Sequence, residues 1–280
     1  MPTFRVMTYN ILYGGVGRES LIRDVVSAIH PDVAVFTEVT AADSFRSIAD
    51  VVGPHYVIGA GRFESEHSAI VSRWPILPSD LPDLHGPLSA RRKWAQGIIR
   101  PFEGPAVRIL GGHLVPQPLW PFEIWRRWEV RSLLKRLQAA ARLPHIVAGD
   151  FNALMADDTL RRDGAPVWVK AQWRLQGDWP RWALNELIDA GYIDCYRACH
   201  PNEPGFTVPA WNPGARIDYV FASPDLRALL RSSGVGESRT ASPAAAPRRS
   251  LAELLGWKAV QSLGNEASDH LPVWADFEWR

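Results

Sequence analysis

Residues 145–153 read HIVAGDFNA, an apolar run that stops at Gly149 and gives way to Asp150 and Asn152. A short β-capable run ending in glycine and small polar side chains is the signature of a buried strand whose C-terminal end opens into a loop. The same construction recurs in both directions along the chain: FRVMTY precedes Asn10, VAVFT precedes Glu38, VRILGG precedes His113, and RIDYVF contains Asp218. A further cluster, Ser268, Asp269 and His270, comes just before the last apolar run. One polar residue at a strand end is unremarkable, because loops begin there. The recurrence brings Asn, Glu, His and Asp side chains to many strand ends, and such a set fits an oxygen-rich metal site with an imidazole base.

The segments between these strand ends define the layers. Phe4 to Tyr9 and Val33 to Phe36 read as strands, and Leu21, Ile22, Val25, Val26 and Ile29 form a helical stripe between them. Short strands separated by Pro and Gly follow at Tyr56 to Ile58, Ala69 to Ser72, Gly97 to Arg100 and Val107 to Leu110, which suggests one sheet packed on another. A long helix is predicted from Pro121 to Ala141. Ile124, Trp128, Leu134 and Leu137 are expected on its apolar face, with Arg126, Arg127, Arg131, Lys135 and Arg136 largely on a solvated one. Leu184 to Ala190 reads as helix, and strands resume at Ile217 to Ala222 and Pro272 to Phe277. Residues 232–250 are rich in Ser, Ala, Pro and Gly without a hydrophobic period and are expected to be a mobile surface insertion. Motifs lie on both sides of it, so residues 1–280 are read as a single domain.

Bulk composition narrows the classes. The 280 residues are 46% hydrophobic and 22% charged, ordinary globular usage that excludes a fibrous repeat or wholesale disorder. Net charge is +1, without the basic bias of a dedicated nucleic-acid binder. The two cysteines, Cys195 and Cys199, suit one helix face as a buried, inert pair and offer no disulfide framework. No leader pattern opens the chain and no run of apolar residues is long enough to span a bilayer, so the expectation is a cytoplasmic protein without stable membrane insertion. There are 13 tryptophans, and the aromatic stretch PLWPFEIWRRW after His113 could stack bases, pack on a lipid or bury itself; burial is the expected outcome.

The residue types match the demands of phosphate-ester hydrolysis. A hard cation such as Mg²⁺ prefers a few carboxylates plus water, and Glu38 suits that task. The reaction also needs a group to orient or deprotonate water and donors for the phosphoryl oxygens, which Asp150, Asn152, His113 and His270 can supply. Each position has a plainer reading: Asn10 as a turn residue, Glu38 as the partner of an arginine, His113 as a satisfied structural histidine, and Asp269 as a loop cap.

The strings TYNI (8–11), FTEV (36–39), SAIVSRWPI (68–76), GGHL (111–114), GDFNA (149–153), RIDYVF (216–221) and SDHLPV (268–273) also resemble, in order, the motif set of the endonuclease/exonuclease/phosphatase family. That family includes repair nucleases, DNase I, sphingomyelinases and inositol-polyphosphate phosphatases. The resemblance implies an α/β fold, a four-layer α/β sandwich of two packed mixed β-sheets flanked by helices. It implies a metal-dependent phosphoric ester hydrolase that uses Mg²⁺ or Mn²⁺ on a nucleic acid, nucleotide, phosphoinositide or phospholipid headgroup. Residue by residue, it implies Glu38, Asn10 and Asp269 at the metal and Asn10, His113 and Asn152 at the substrate phosphate. His113, Asp150, Asn152, Asp218 and His270 would be catalytic, with Asp218 orienting His270. Three departures stand out: Leu12 where repair nucleases carry an aspartate, His67 where many members carry glycine, and the segment 232–250. The alternative reading is an inactive binding module on the same scaffold, for which Leu12 and His67 are the best support.

Overall fold

The computed structural model describes residues 1–39, 43–59, 67–81, 94–116, 119–140, 142–163, 170–171, 174–175, 177–238 and 266–279. Six strands form the first sheet: β1 (Thr3–Asn10), β2 (Val33–Val39), β3 (His55–Gly59), β4 (His67–Ser72), β10 (Leu230–Val235) and β11 (Val273–Glu278). Their order is β10-β11-β1-β2-β4-β3, with β1 parallel to β2 and antiparallel to β11. The second sheet has five strands in the order β5-β6-β7-β9-β8, namely β5 (Ala95–Ile99), β6 (Val107–His113), β7 (His145–Asp150), β8 (Ile193–Asp194) and β9 (Asp218–Ala222). Both sheets are mixed, since β6 and β7 run parallel while β7 and β9 run antiparallel.

The period-two alternation of each strand assigns its side chains to layers. Val6, Val35, Ile109, Ile146, Ala148, Val220 and Val273 point inward and form the core between the sheets. Their neighbours Met7, Tyr9 and Phe36 point outward against α1 (Glu19–Ile29) and α2 (Asp43–Ala49). On the opposite side Leu110, Val147 and Phe221 point outward against α3 (Trp120–Ala139) and Leu187. Helix, sheet, sheet and helix therefore stack as four layers, the sandwich expected from the sequence. Helix α1 stops where His30 takes a left-handed conformation (φ 54°) and donates its N–H to Val26, with Pro31 barring continuation.

Two sequence expectations need correction. On α3 the inward face is Glu123, Arg126, Val130, Leu133, Leu134 and Leu137. Ile124 and Trp128, expected inside, are 45% and 44% exposed, whereas Arg126, expected in solvent, is 1% exposed. The cause is an ion pair that hydropathy cannot foresee. Arg126 Nε donates to Glu123 Oε2 at 2.9 Å, and Glu123 Oε1 accepts the backbone N–H groups of Trp182 and Ala183. Trp120 and Trp125 are exposed as well, so all three tryptophans of the aromatic stretch face solvent, contrary to the expected burial.

The second correction concerns residues 232–250. The segment opens as strand, because Ser232 to Val235 pair with β11 and Gly236 donates to Pro272. Residues 239–250 lie outside the described residues. Cys195 and Cys199 do share one short helix, Cys195–Cys199; the first is buried and the second half-buried. Among the described residues, no helix is long and apolar enough to cross a membrane.

Candidate active site

Strand ends from both sheets meet along one seam. Asn10 ends β1, Glu38 lies near the end of β2, His113 ends β6, Asp150 ends β7 and Asp218 begins β9. Because β6 and β7 are parallel and β9 is antiparallel to β7, the register pairs His113 with Asp150 and Asp150 with Asp218. Gly149 makes this crossing possible. Its φ is +149°, and a Cβ there would lie 1.9 Å from the carbonyl oxygen of Gly112 on β6, closer than any side chain permits.

Asn10 links the two sheets. Its amide nitrogen donates to Glu38 Oε1 at 3.1 Å and to Asp150 Oδ2 at 3.0 Å, while its oxygen accepts the N–H of Leu12 at 3.0 Å. Both amide protons are therefore committed to carboxylates, leaving none for a phosphate. Glu38 occupies a β-bulge between Thr37 and Val39 with φ +59°, a costly conformation for a non-glycine residue. That geometry brings its other oxygen to the N–H of Tyr13 at 3.0 Å.

On the second sheet, Asp150 Oδ2 lies 3.5 Å from His113 Nε2 and 3.9 Å from His270 Nε2. Asp150 Oδ1 accepts the backbone N–H of Asn152, whose left-handed turn (φ 48°) directs its side-chain amide to the carbonyl of Leu114, 3.1 Å away. His270 Nδ1 is 2.8 Å from Asp218 Oδ2, so a carboxylate fixes that imidazole and leaves Nε2 facing Asp150. The loop bearing His270 is tied to β1, since the Ser268 hydroxyl donates to the carbonyl of Asn10 at 2.7 Å. Asp269, half-buried, accepts from the same hydroxyl at 3.3 Å.

Charge is crowded here, and ionisation responds. Burial raises the Glu38 carboxyl above its usual range, and the nearby Asp269 charge raises it further. Burial and the Asp218 charge push Asp150 up to about 7. For His270, burial alone would favour the neutral ring, but the carboxylates of Asp218, Asp269 and Asp150 outweigh it and raise the imidazole well above its ordinary value. A carboxyl poised near neutrality thus faces an imidazole held protonated, a division of acid and base behaviour typical of reactive sites.

Two places offer donors for a cation. Glu38 and Asp269 are close enough for the Asp269 charge to raise the Glu38 carboxyl, and among the described residues no arginine or lysine donates a hydrogen bond to either carboxylate. Asp150, Asp218 and His270 form a second set, with ligand atoms within 4.8 Å of one another. In that set the His270 Nδ1 is committed to Asp218, while Asp218 Oδ1 is buried with no hydrogen-bond partner among the described residues.

Hydropathy and motif spacing missed some of the supporting residues. The Arg18 guanidinium is buried and donates to the carbonyls of Ile11, Leu12 and Ala267, binding the loop after Asn10 to the loop before Asp269. Leu12 contributes through its backbone N–H, at a strained φ of 48°. A glycine-rich turn (YGGVG) just before Arg18 was the one visible signal of an unusual loop.

The family model described as the endonuclease/exonuclease/phosphatase family matches residues 7–270. No curated protein matches the sequence. Among solved structures, an AP endonuclease from Archaeoglobus fulgidus superposes with TM-score 0.68 at 16% identity, covering 98% of this chain and 99% of that one. A 3′ phosphatase from Neisseria bound to a product DNA hairpin gives TM-score 0.65 at 19% identity over 99% and 100% of the two chains. The human Nocturnin catalytic domain with bound sulfate gives TM-score 0.65 at 19% identity over 100% and 94%.

Proposed function

This chain belongs to the endonuclease/exonuclease/phosphatase family, and from that membership we propose that it is a divalent-metal-dependent hydrolase of phosphate esters, with a nucleic-acid phosphoester as the first substrate to test. The observation that carries the reading is Asp150, a buried carboxyl poised near neutrality between two imidazoles and a shared amide. The substrate class rests on the similar structures, an AP endonuclease and a 3′ phosphatase bound to a product DNA hairpin.

In the proposed reaction Asp150, when ionised, orients a water molecule and draws a proton from it as the water attacks phosphorus; the opposite P–O ester bond breaks, and the departing ester oxygen takes a proton from solvent. His270, held protonated by Asp218, and His113 donate to the phosphoryl oxygens as negative charge builds on them. The side chain of Asn152, anchored on the carbonyl of Leu114, offers its remaining amide proton to the same oxygens. Asn10 acts as an orienting bridge between Glu38 and Asp150, because both of its protons are spent there. Glu38 and Asp269 would hold Mg²⁺ or Mn²⁺, and hard carboxylate oxygens suit these ions. A cation there supplies charge neutralisation for the phosphate.

The test is turnover of bis(p-nitrophenyl) phosphate, p-nitrophenyl phosphate, and single- and double-stranded oligonucleotides, with Mg²⁺, Mn²⁺ or EDTA. Hydrolysis that requires added metal and disappears in Asp150→Asn is the expected result. A folded protein that binds oligonucleotide and turns over none of these esters would be a binding module and would overturn the proposal.

A further inference from the structure

Beyond the residues that face the seam, a second set of buried charges joins the two loops that leave it. Asp158 is fully buried in the loop that follows Asp150 and Asn152. Its Oδ1 accepts from Arg216 Nε at 3.0 Å, Arg216 Nη2 at 2.7 Å and Arg197 Nη2 at 2.9 Å. Its Oδ2 accepts from the Tyr219 hydroxyl at 2.7 Å and from the N–H of Met155 at 3.1 Å. Arg216 and Tyr219 flank Asp218, and the Arg216 guanidinium lies over the Tyr219 ring, 4.6 Å from its centroid. The remaining arm of Arg216 sits 2.7 Å from Asp194, whose side chain caps the short helix Cys195–Cys199.

The strand ladder alone does not fix this region. Pairing of β7 with β9 ends at Asp150 and Asp218, and one more backbone bond, from Phe151 to Ile217, follows before the chains part. Past that point the loop of Asn152 and the approach to Asp218 are joined by side chains, chiefly through Asp158 and by the Tyr219 hydroxyl on the carbonyl of Ala153, with one further backbone bond from Arg161 to Gly214. A buried ion pair is a poor source of net stability, because well-packed apolar residues of the same volume do as well or better. What the pair supplies is direction, since the planar guanidinium accepts one arrangement of its carboxylate.

We propose that Asp158, with Arg216 and Tyr219, is a positioning clamp that holds the loop of Asn152 against the approach to Asp218 and so sets the aim of the Asp218 carboxylate at His270. This inference rests on the proposed hydrolytic role of Asp150, Asp218 and His270. The variants are Tyr219→Phe, which removes one hydroxyl, and the double Asp158→Leu/Arg216→Met, which exchanges the ion pair for apolar volume. Each is measured by melting curve, by kcat and KM on bis(p-nitrophenyl) phosphate, and by the low-field proton resonance of the His270–Asp218 hydrogen bond.

The double variant leaves buried Asp194 without its cation and is expected to melt below the parent while staying folded at the assay temperature, with kcat about 10²-fold lower at nearly constant KM, the scale of an ångström of misplacement. The low-field resonance should shift or vanish, and Tyr219→Phe should lie between parent and double variant. If the double variant does not fold, Tyr219→Phe decides by the same two readouts. A folded variant with parent kcat and an unchanged resonance overturns the clamp. So does a kcat loss that merely tracks a drop in melting temperature with the resonance intact. A parent protein without turnover whose resonance still responds to these substitutions would keep the clamp and remove the hydrolytic role.

Discussion

Asp218→Asn separates the electrostatic role of this carboxylate from its role in the fold. The side chain keeps its shape, so the β9 register with β7 survives, but the negative charge 2.8 Å from His270 Nδ1 is gone. An acid–base group contributes about 10²–10⁴-fold to rate, and asparagine behind a catalytic histidine leaves the geometry while removing the charge. Because His113 and Asn152 still serve the phosphoryl oxygens in the proposed reaction, turnover should fall about 10²- to 10³-fold near neutral pH. The pH profile provides the sharper signature. Asp218 is the leading charge raising His270, and without it burial dominates and the imidazole loses its proton at lower pH. The same charge helps hold Asp150 up to about 7, so without it Asp150 ionises at lower pH. In the proposed reaction activity requires an ionised Asp150 and a protonated His270, so both limbs of the profile should move toward acid together. The assay is kcat against pH for parent, Asp218→Asn, His270→Ala and the double variant, with a melting curve for each. The double variant should be little worse than His270→Ala alone, because the pair acts as a unit. A profile that keeps its position, with losses that multiply, would refute the reasoning.

Three further outcomes follow from the same geometry. Asn10→Ala removes a hydrogen bond that lowers the Asp150 pKa, so the acid limb of the kcat profile should move to higher pH, opposite to Asp218→Asn; an unmoved limb would dissociate Asn10 from Asp150. Chelation with EDTA should abolish turnover, and Glu38→Gln should raise the Mg²⁺ concentration needed for half-maximal activity about tenfold or more, given that outright loss of charged ligands weakens hard-cation sites; coincident metal titrations of parent and variant would remove Glu38 from the metal. On α3, Arg126→Met leaves buried Glu123 without its cation and should cost about 3–5 kcal/mol by urea unfolding, while Trp128→Gln, on the exposed face, should change stability by no more than about 0.5 kcal/mol; equal losses would contradict the orientation of the helix.

The strands were legible in the sequence because a central strand buried on both faces must be apolar throughout, as Val33 to Phe36 and Ile146 to Ala148 are. The candidate residues at their ends were legible for a related reason, since an ionisable group directly after such a run has few other duties. Helix α3 was misread at Ile124, Arg126 and Trp128, because burial there is decided by a paired charge rather than by hydropathy. The Asp158–Arg216 contact joins positions 58 residues apart through side-chain geometry. No period or propensity along the chain encodes it, and the same holds for the three carbonyls gathered by Arg18.

The pairing of β1 with β11 couples Thr3 to Glu278, so the first sheet is closed by segments from opposite ends of this sequence. The second sheet needs only residues 95–222 and can gather His113, Asp150 and Asp218 from nearer neighbours. Loop-closure entropy delays the longer connection, and proteins dominated by such distant pairings fold slowly. A chain that has assembled only the second sheet would already own half of the seam, yet Asn10 and His270 would still be unattached to it. On the proposed function, competence would require that long closure as well as the second sheet, since Asn10 and His270 come only with the first.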